Sequence, residues 1–82
     1  MVQDILVSKK IVKSHIDTLA SWFFKKKYTN VEFLEIGVFT EEDAAKHHFD
    51  FSYPWKFVKP FYIAQISRNN EKEKINYLKS GW

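Results

Sequence analysis

The sequence predicts an α+β domain in which a long N-terminal helix packs on a small, mainly antiparallel sheet. Two patterns in a chain of 82 residues lead to this prediction. Apolar residues recur at helical spacing between residues 8 and 28, and β-branched and aromatic residues dominate the segments 31–39, 51–58 and 61–67. Because a chain this short supports only one core, we expect a single small domain over residues 1–82.

The N-terminal part of the chain is predicted to be helical. The segment 2–7 is too short to distinguish a strand from the beginning of a helix, and a helix is favoured. Ser8 suits the N-cap position. The apolar stripe that follows has spacings of four, three and four residues and consists of Val12, Ile16, Leu19 and Phe23. The run Lys25, Lys26 and Lys27 falls in the last turn, where positive charge interacts favourably with the helix dipole.

The rest of the chain is predicted to alternate between strands and short helices. A strand over 31–39 contains Gly37, which indicates a bulge or a close approach by another ring. Acidic residues follow a capping threonine, so a short middle helix is expected over 41–48. A strand over 61–67 comes next. The segment 71–79 fits either a helix or a hairpin strand, and the helix is favoured because an Asn–Glu capping box precedes it.

Residues 49–62, here called the aromatic segment, carry the most unusual pattern in the sequence. Rings occupy five successive alternate positions, namely Phe49, Phe51, Tyr53, Trp55 and Phe57. Alternation at period two places such rings on one face of a strand, although Pro54 and Pro60 restrict that strand to an edge or break it. A small domain needs bulky side chains to fill its core, so we expect most of these rings to face inward.

Charge is distributed in three blocks rather than uniformly. Residues 1–30 hold six Lys and two Asp, residues 31–50 hold six acids and one Lys, and residues 51–82 hold six bases and two Glu, giving +4, −5 and +4 and a sum of +3. This pattern favours a dipolar surface over a uniformly basic one. A single arginine among thirteen basic residues argues against base-specific recognition, because arginine is the side chain suited to forming two parallel hydrogen bonds with guanine.

No catalytic or metal-binding motif is present. With two glycines the chain contains neither a dinucleotide fingerprint nor a phosphate-binding loop, and with no cysteine it lacks the usual ligands of structural zinc. Asp43, His47 and Asp50 are spaced by about one helical turn and would need His15 nearby to form a metal site, which nothing in the sequence requires. We therefore expect no enzyme, no cofactor and no bound metal.

The sequence also limits the cellular locations that are expected for the protein. The mainly apolar stretch at residues 19–24, which is interrupted by Ser21, has only six residues and is too short to cross a membrane. Its aromatic residues next to lysines could suit a membrane surface, but a core-facing stripe explains them more simply. The first residues do not resemble a secretory signal, and the absence of cysteine suits a reducing compartment. A cytoplasmic location without membrane contact is expected, and the oligomeric state is not specified.

Interleaved lysines and aromatic rings favour nucleic-acid binding as the first functional hypothesis. Bases can stack on a ring while lysines contact phosphates without any sequence readout. The residues expected to do so are Lys25, Lys26, Lys27, Trp55, Lys56 and Lys59. The alternative is a protein-binding regulator or inhibitor, of the kind found among small accessory and phage proteins, in which the aromatic segment anchors a partner and the acidic block steers it.

Overall fold

The computed structural model describes all 82 residues and shows an α+β fold with a mixed four-stranded sheet and three helices. The elements in chain order are β1 (Val2–Leu6), α1 (Lys13–Trp22, continued by a π-helical turn Phe23–Lys27), β2 (Phe33–Phe39), α2 (Glu42–Lys46), α3 (Trp55–Val58, continued by a 3₁₀ turn Lys59–Phe61), β3 (Tyr62–Asn69) and β4 (Lys72–Tyr77). None of the helices combines the length and the apolar character that a membrane span requires.

The strands lie in the sheet in sequence order, β1-β2-β3-β4. β1 and β2 are parallel, and α1 supplies the crossover that a parallel pair needs. β2 and β3 are antiparallel, as are β3 and β4, which form a hairpin with a two-residue loop at positions 70 and 71. Asn70 adopts φ 57 in this loop, a conformation that asparagine tolerates better than most residues.

The main core lies between α1 and one side of the sheet, here called the first face. The strands contribute Leu34, Ile36, Val38, Ile63, Ala64 and Ile66, and the helix contributes Ile16, Ala20, Phe23 and Phe24. The strand residues of β2 follow the alternation predicted from the sequence, because inward-facing side chains occur at every second position. The structure confirms three predicted elements, each with shifted ends. They are the strand near 31–39, the short middle helix and the strand near 61–67.

A smaller cluster covers one end of the opposite side of the sheet, here called the second face. It consists of Phe39, Ala44, Val58 and Tyr62. These residues come from the end of β2, from α2, from α3 and from the beginning of β3. The chain between β2 and β3 therefore folds back over the second face and carries the aromatic segment there.

Arg68, the only arginine, has a structural role. Its guanidinium donates hydrogen bonds to the carbonyl oxygens of Phe24 (2.8 Å), Val31 (3.1 Å) and Tyr28, and it forms an ion pair of 2.6 Å with Glu73. Carbonyl groups at the end of a helix lack partners within the helix. Arg68 satisfies them and fastens the end of α1 to β3 and β4.

The predictions for both ends of the chain were wrong. Residues 2–6 form a strand rather than a helix, because they pair in parallel with β2, a long-range contact that a short sequence window does not reveal. Residues 72–77 likewise form a strand, since Asn70 begins a hairpin turn instead of capping a helix. α1 begins at Lys13 and not after Ser8, whose hydroxyl accepts a hydrogen bond from the Lys10 backbone amide at 3.1 Å in the preceding turn.

The predicted strand over 51–58 was also wrong. The Asp50 carboxylate accepts hydrogen bonds from the Ser52 backbone amide (3.0 Å) and hydroxyl (2.6 Å), which closes a local turn. Pro54 then stands at the N-cap of α3. A turn and a one-turn helix therefore replace the third antiparallel strand, and the sheet is completed by β1 and β4 instead.

Candidate binding surface

Most rings of the aromatic segment point outward. The exposed fractions are 101% for Phe51, 59% for Phe49, 52% for Phe57 and 49% for Trp55. These four residues are here called the aromatic surface. Tyr62 is buried and Tyr53 is half-buried. The expectation that most of these rings face inward was wrong, because period-two alternation has no structural meaning in a turn followed by a helix.

His48 anchors the aromatic surface to the sheet. Its Nδ1 atom lies 3.1 Å from each carboxylate oxygen of Asp4 in β1. Its ring packs edge-on against Phe39 (5.1 Å between centroids) and Tyr62 (4.7 Å) and lies 4.2 Å from the ring of Phe49. No hydroxyl or thiol group hydrogen-bonds to His48. The Asp4–His48 pair therefore serves to hold the beginning of the aromatic segment against the second face.

Gly37 makes room for this pair. A Cβ atom at Gly37 would overlap the Asp4 carboxylate and would lie 3.0 Å from the Phe39 ring. Gly37 and Asp4 are partners across the β1–β2 ladder. The prediction that Gly37 marks a close approach is confirmed, although the carboxylate comes nearer than any ring.

A cleft of about 420 Å³ opens beside the anchor. Its lining consists of His47, His48, Asp50, Phe51, Tyr53, Pro54 and Trp55. The His47 ring stacks on Tyr53 with 4.0 Å between centroids, and its Nδ1 atom lies 3.2 Å from Asp50 Oδ2. Hydrogen bonds from Ser52 and then from His47 lower the pKa of Asp50, so this carboxyl stays ionised at neutral pH.

Tyr62, beneath the aromatic surface, is held in its neutral form. Burial raises the pKa of Tyr62 to about 12, and the negative charges of Glu35 and Asp4 act in the same direction. A phenol with a raised pKa is a poor proton acceptor and a poor nucleophile at neutral pH. Tyr62 therefore contributes packing, through a stacked contact of 4.7 Å with Phe39.

The lysines predicted to contact phosphates are divided between two places. Lys25, Lys26 and Lys27 end α1, where the Lys27 ammonium lies 5.4 Å from the centre of the exposed Trp22 ring. Lys56 lies in α3 with its ammonium 5.2 Å from the Phe57 ring, and Lys59 follows it. None of the five lysines forms an ion pair, so all present free positive charge.

The two lysine groups lie at opposite ends and on opposite faces of the sheet. The first group precedes the beginning of β2, and α1 covers the first face. The second group precedes Tyr62, which pairs with Phe39 at the end of β2, and α3 covers the second face. The seven residues of β2 span about 20 Å. The structure therefore brings Trp55 together with Lys56 and Lys59 but not with Lys25, Lys26 and Lys27.

The histidines form separate pairs rather than one metal site. His47 contacts Asp50, His48 contacts Asp4, and the His15 Nδ1 atom accepts a weak hydrogen bond of 3.4 Å from the Val12 amide. No three side chains of the types that bind metals converge anywhere in the chain.

Sequence reasoning missed Asp4 and His48 as parts of the site. Their pairing depends on β1 lying beside β2, and residues 2–7 were predicted to be helical. Gly37 was the one local signal of this contact, because a glycine inside a strand marks a close approach. Comparison of the chain with the profiles of known protein families, with characterised proteins and with solved structures finds no match in any of the three.

Proposed function

We propose that this protein is a small, non-enzymatic binding module that contacts a partner protein through its aromatic surface. The observation that carries the proposal is the exposure of Phe49, Phe51, Trp55 and Phe57, each about half or more accessible, within nine consecutive residues. Isolated exposed apolar residues are common, whereas a cluster of them marks an interaction site. Large aromatic side chains, tryptophan above all, are also enriched in the central, well-packed part of protein interfaces.

The support beneath the rings strengthens the proposal. The Asp4–His48 pair, the Phe39–Tyr62 stack and the Asp50–Ser52 turn support the segment. A surface that is ordered before binding loses less conformational entropy when the partner arrives. Four exposed rings on a supported segment therefore form a better recognition surface than the same rings on a flexible loop would.

A regulator or inhibitor of the small accessory kind fits this arrangement. Such a protein acts by covering a surface of its partner and needs no catalytic group of its own. A cytoplasmic location is part of the proposal, because a chain without cysteine suits a reducing compartment.

Nucleic-acid contact is the second candidate, and one observation favours it. Trp22 is about half exposed beside Lys25 and Lys26, with the Lys27 ammonium over its ring, so a base could stack there while lysines contact phosphates. Trp55 with Lys56 and Lys59 offers a similar combination at the other end of the sheet. Because the two groups are far apart, a short strand would contact only one of them.

Matched double variants separate the two candidates. Phe51→Ser with Phe57→Ser removes two exposed rings, and Lys25→Gln with Lys26→Gln removes two free charges. If the first candidate is correct, a partner captured from nuclease-treated extract of the cells that contain the protein is lost with the first variant and kept with the second. Loss of binding with the lysine variant and not with the phenylalanine variant would support the second candidate. In that case the protein should also bind generic single-stranded RNA or DNA, with a binding constant that falls by about 0.7 log units per log unit of salt concentration for each phosphate contact.

A further inference from the structure

We propose that the cleft beside the aromatic surface receives the cationic end of a lysine side chain from the partner, so that the partner presents a basic segment. The cleft is the one lined by His47, His48, Asp50, Phe51, Tyr53, Pro54 and Trp55. This inference rests on the proposed function, because it assigns the chemistry of the partner that the aromatic surface contacts.

The walls of the cleft have the chemistry that attracts organic cations. Phe51 and Trp55 contribute two exposed aromatic side chains, and Tyr53 contributes the part of its ring that the stacked His47 does not cover. The face of an aromatic ring carries partial negative charge and attracts ammonium and guanidinium groups, with tryptophan the strongest of the three. The methylene stem of lysine can at the same time pack against the apolar parts of these rings.

Asp50 places a permanent negative charge in the same cleft. Its side chain is exposed, and its oxygens already accept two hydrogen bonds from Ser52 and face the His47 Nδ1 atom. A carboxylate has about four acceptor positions, so capacity remains for an ammonium donor. A cleft that combines aromatic side chains with one carboxylate binds a cation in preference to a neutral or anionic group.

No lysine of the chain itself occupies the cleft. Lys56, which directly follows Trp55, places its ammonium over the Phe57 ring, and neither residue lines the cleft. Lys46 is paired with Glu42 at 3.2 Å. The position that a cation would take is therefore open to a partner.

The attraction for a cation is confined to the cleft itself. Glu41 and Glu42 are neutralised by ion pairs of 3.2 Å with Lys9 and Lys46, and the free lysines Lys56 and Lys59 lie on the same side of the molecule. Asp50 is therefore the carboxylate that a lysine from the partner would meet. The aromatic surface then supplies apolar anchors next to the cleft.

The experiment titrates the full chain with Nα-acetyl-lysine methylamide and follows the three tryptophan indole N–H signals by NMR. We expect saturable shifts of the Trp55 signal at millimolar concentration, with the Trp22 and Trp82 signals unchanged. Nα-acetyl-norleucine methylamide, which has a similar shape but no charge, should leave all three unchanged. Asp50→Asn should weaken binding of the lysine probe about fivefold or more, whereas Glu71→Gln, an exposed acid in the hairpin loop, should not.

Three results would overturn the inference. Equal shifts with the norleucine probe would mean that the cleft is only apolar. Shifts of Trp55 with inorganic phosphate but not with the lysine probe would mean that it binds anions, as a nucleic-acid site would. No shift with any probe up to about 50 mM would mean that the cleft binds none of them. In each case the proposed function still stands if Phe51→Ser with Phe57→Ser abolishes partner capture, and it fails separately if that variant has no effect.

Discussion

Asp4 and His48 are 44 residues apart in the sequence, yet the His48 Nδ1 atom lies 3.1 Å from both oxygens of the Asp4 carboxylate. The pair joins the edge strand β1 to the turn that follows α2. It also sets the position from which the aromatic segment leaves the sheet. The beginning of the aromatic segment is thus held on the second face by a contact between two parts of the chain that are far apart in sequence.

Gly37→Ala should disturb this contact. The added methyl group would overlap the Asp4 carboxylate and press on the Phe39 ring, so we expect a loss of about 1–3 kcal/mol in the free energy of unfolding, measured by urea denaturation. In a protein that already carries Asp4→Ala, the same substitution should cost clearly less, because the carboxylate is gone. Equal costs in the two backgrounds would show that the carboxylate does not lie over Gly37.

Arg68→Met should be among the most destabilising single substitutions. The Arg68 side chain is only 9% exposed, and its loss would leave carbonyl groups at the end of α1 without donors. We expect a cost of about 2–4 kcal/mol in urea denaturation. Lys72→Met, an exposed position in β4, should change stability by no more than about 0.5 kcal/mol. Similar effects of the two substitutions would contradict the role given to the guanidinium.

Alkaline pH should destabilise the fold partly through Tyr62. Burial raises the pKa of Tyr62 to about 12, above its ordinary value of 10.0, so the unfolded chain releases this proton at lower pH than the folded protein does. The stability that the neutral phenol contributes is complete below about pH 10 and is lost as pH rises through about 12, by about 1–3 kcal/mol.

Tyr62→Phe isolates this contribution. Phenylalanine keeps the stacking on Phe39 and removes the ionisable group. Unfolding free energies at about pH 8 and pH 11.5 should differ less in the variant than in the wild type, while other titrating groups, including Tyr77 with its hydroxyl on Asp17, act equally in both. An identical loss of stability in both proteins would show that the pKa of Tyr62 is not raised in the folded protein.

Truncation of two phenylalanines should change the stability to very different extents. Phe51→Ser removes a fully exposed ring, and we expect a change in unfolding free energy within about 0.5 kcal/mol. Phe39→Ala removes a fully buried ring and should cost about 3–5 kcal/mol. A cost above about 1 kcal/mol for Phe51→Ser would mean that this ring packs against the protein in solution.

Sequence reasoning predicted the parts of the fold in which local pattern and tertiary burial agree. The alternation of Leu34, Ile36 and Val38 identified β2, and acids in the first turn identified α2. β1 and β4 were not identified, because five or six residues carry too little periodicity and their strand partners lie elsewhere in the chain. Arg68 shows the same limit, since a lone arginine gives no sign in the sequence that it binds three backbone carbonyls.

The sequence singled out the aromatic segment as a candidate site but led to a wrong prediction of its conformation. Five alternating rings matched a buried strand, but the hydrogen bonds of Asp50 with Ser52 and the position of Pro54 produce a turn and a short helix. The candidate site could be located from the local density of aromatic residues in the sequence. Its exposure could not, because that follows from the turn and the short helix that take the place of the predicted strand.

Photo-crosslinking at two positions tests the central claim most directly. A benzoylphenylalanine residue is incorporated at position 51, in the aromatic surface, or at position 27, beside the exposed Trp22, and each protein is irradiated in extract of the cells that contain it. We expect a discrete adduct with a protein at position 51, unchanged by nuclease and absent when Phe57 is also replaced by serine. Adducts at position 27 alone, removed by nuclease, would contradict a protein partner at the aromatic surface and favour nucleic-acid contact through the lysines that end α1.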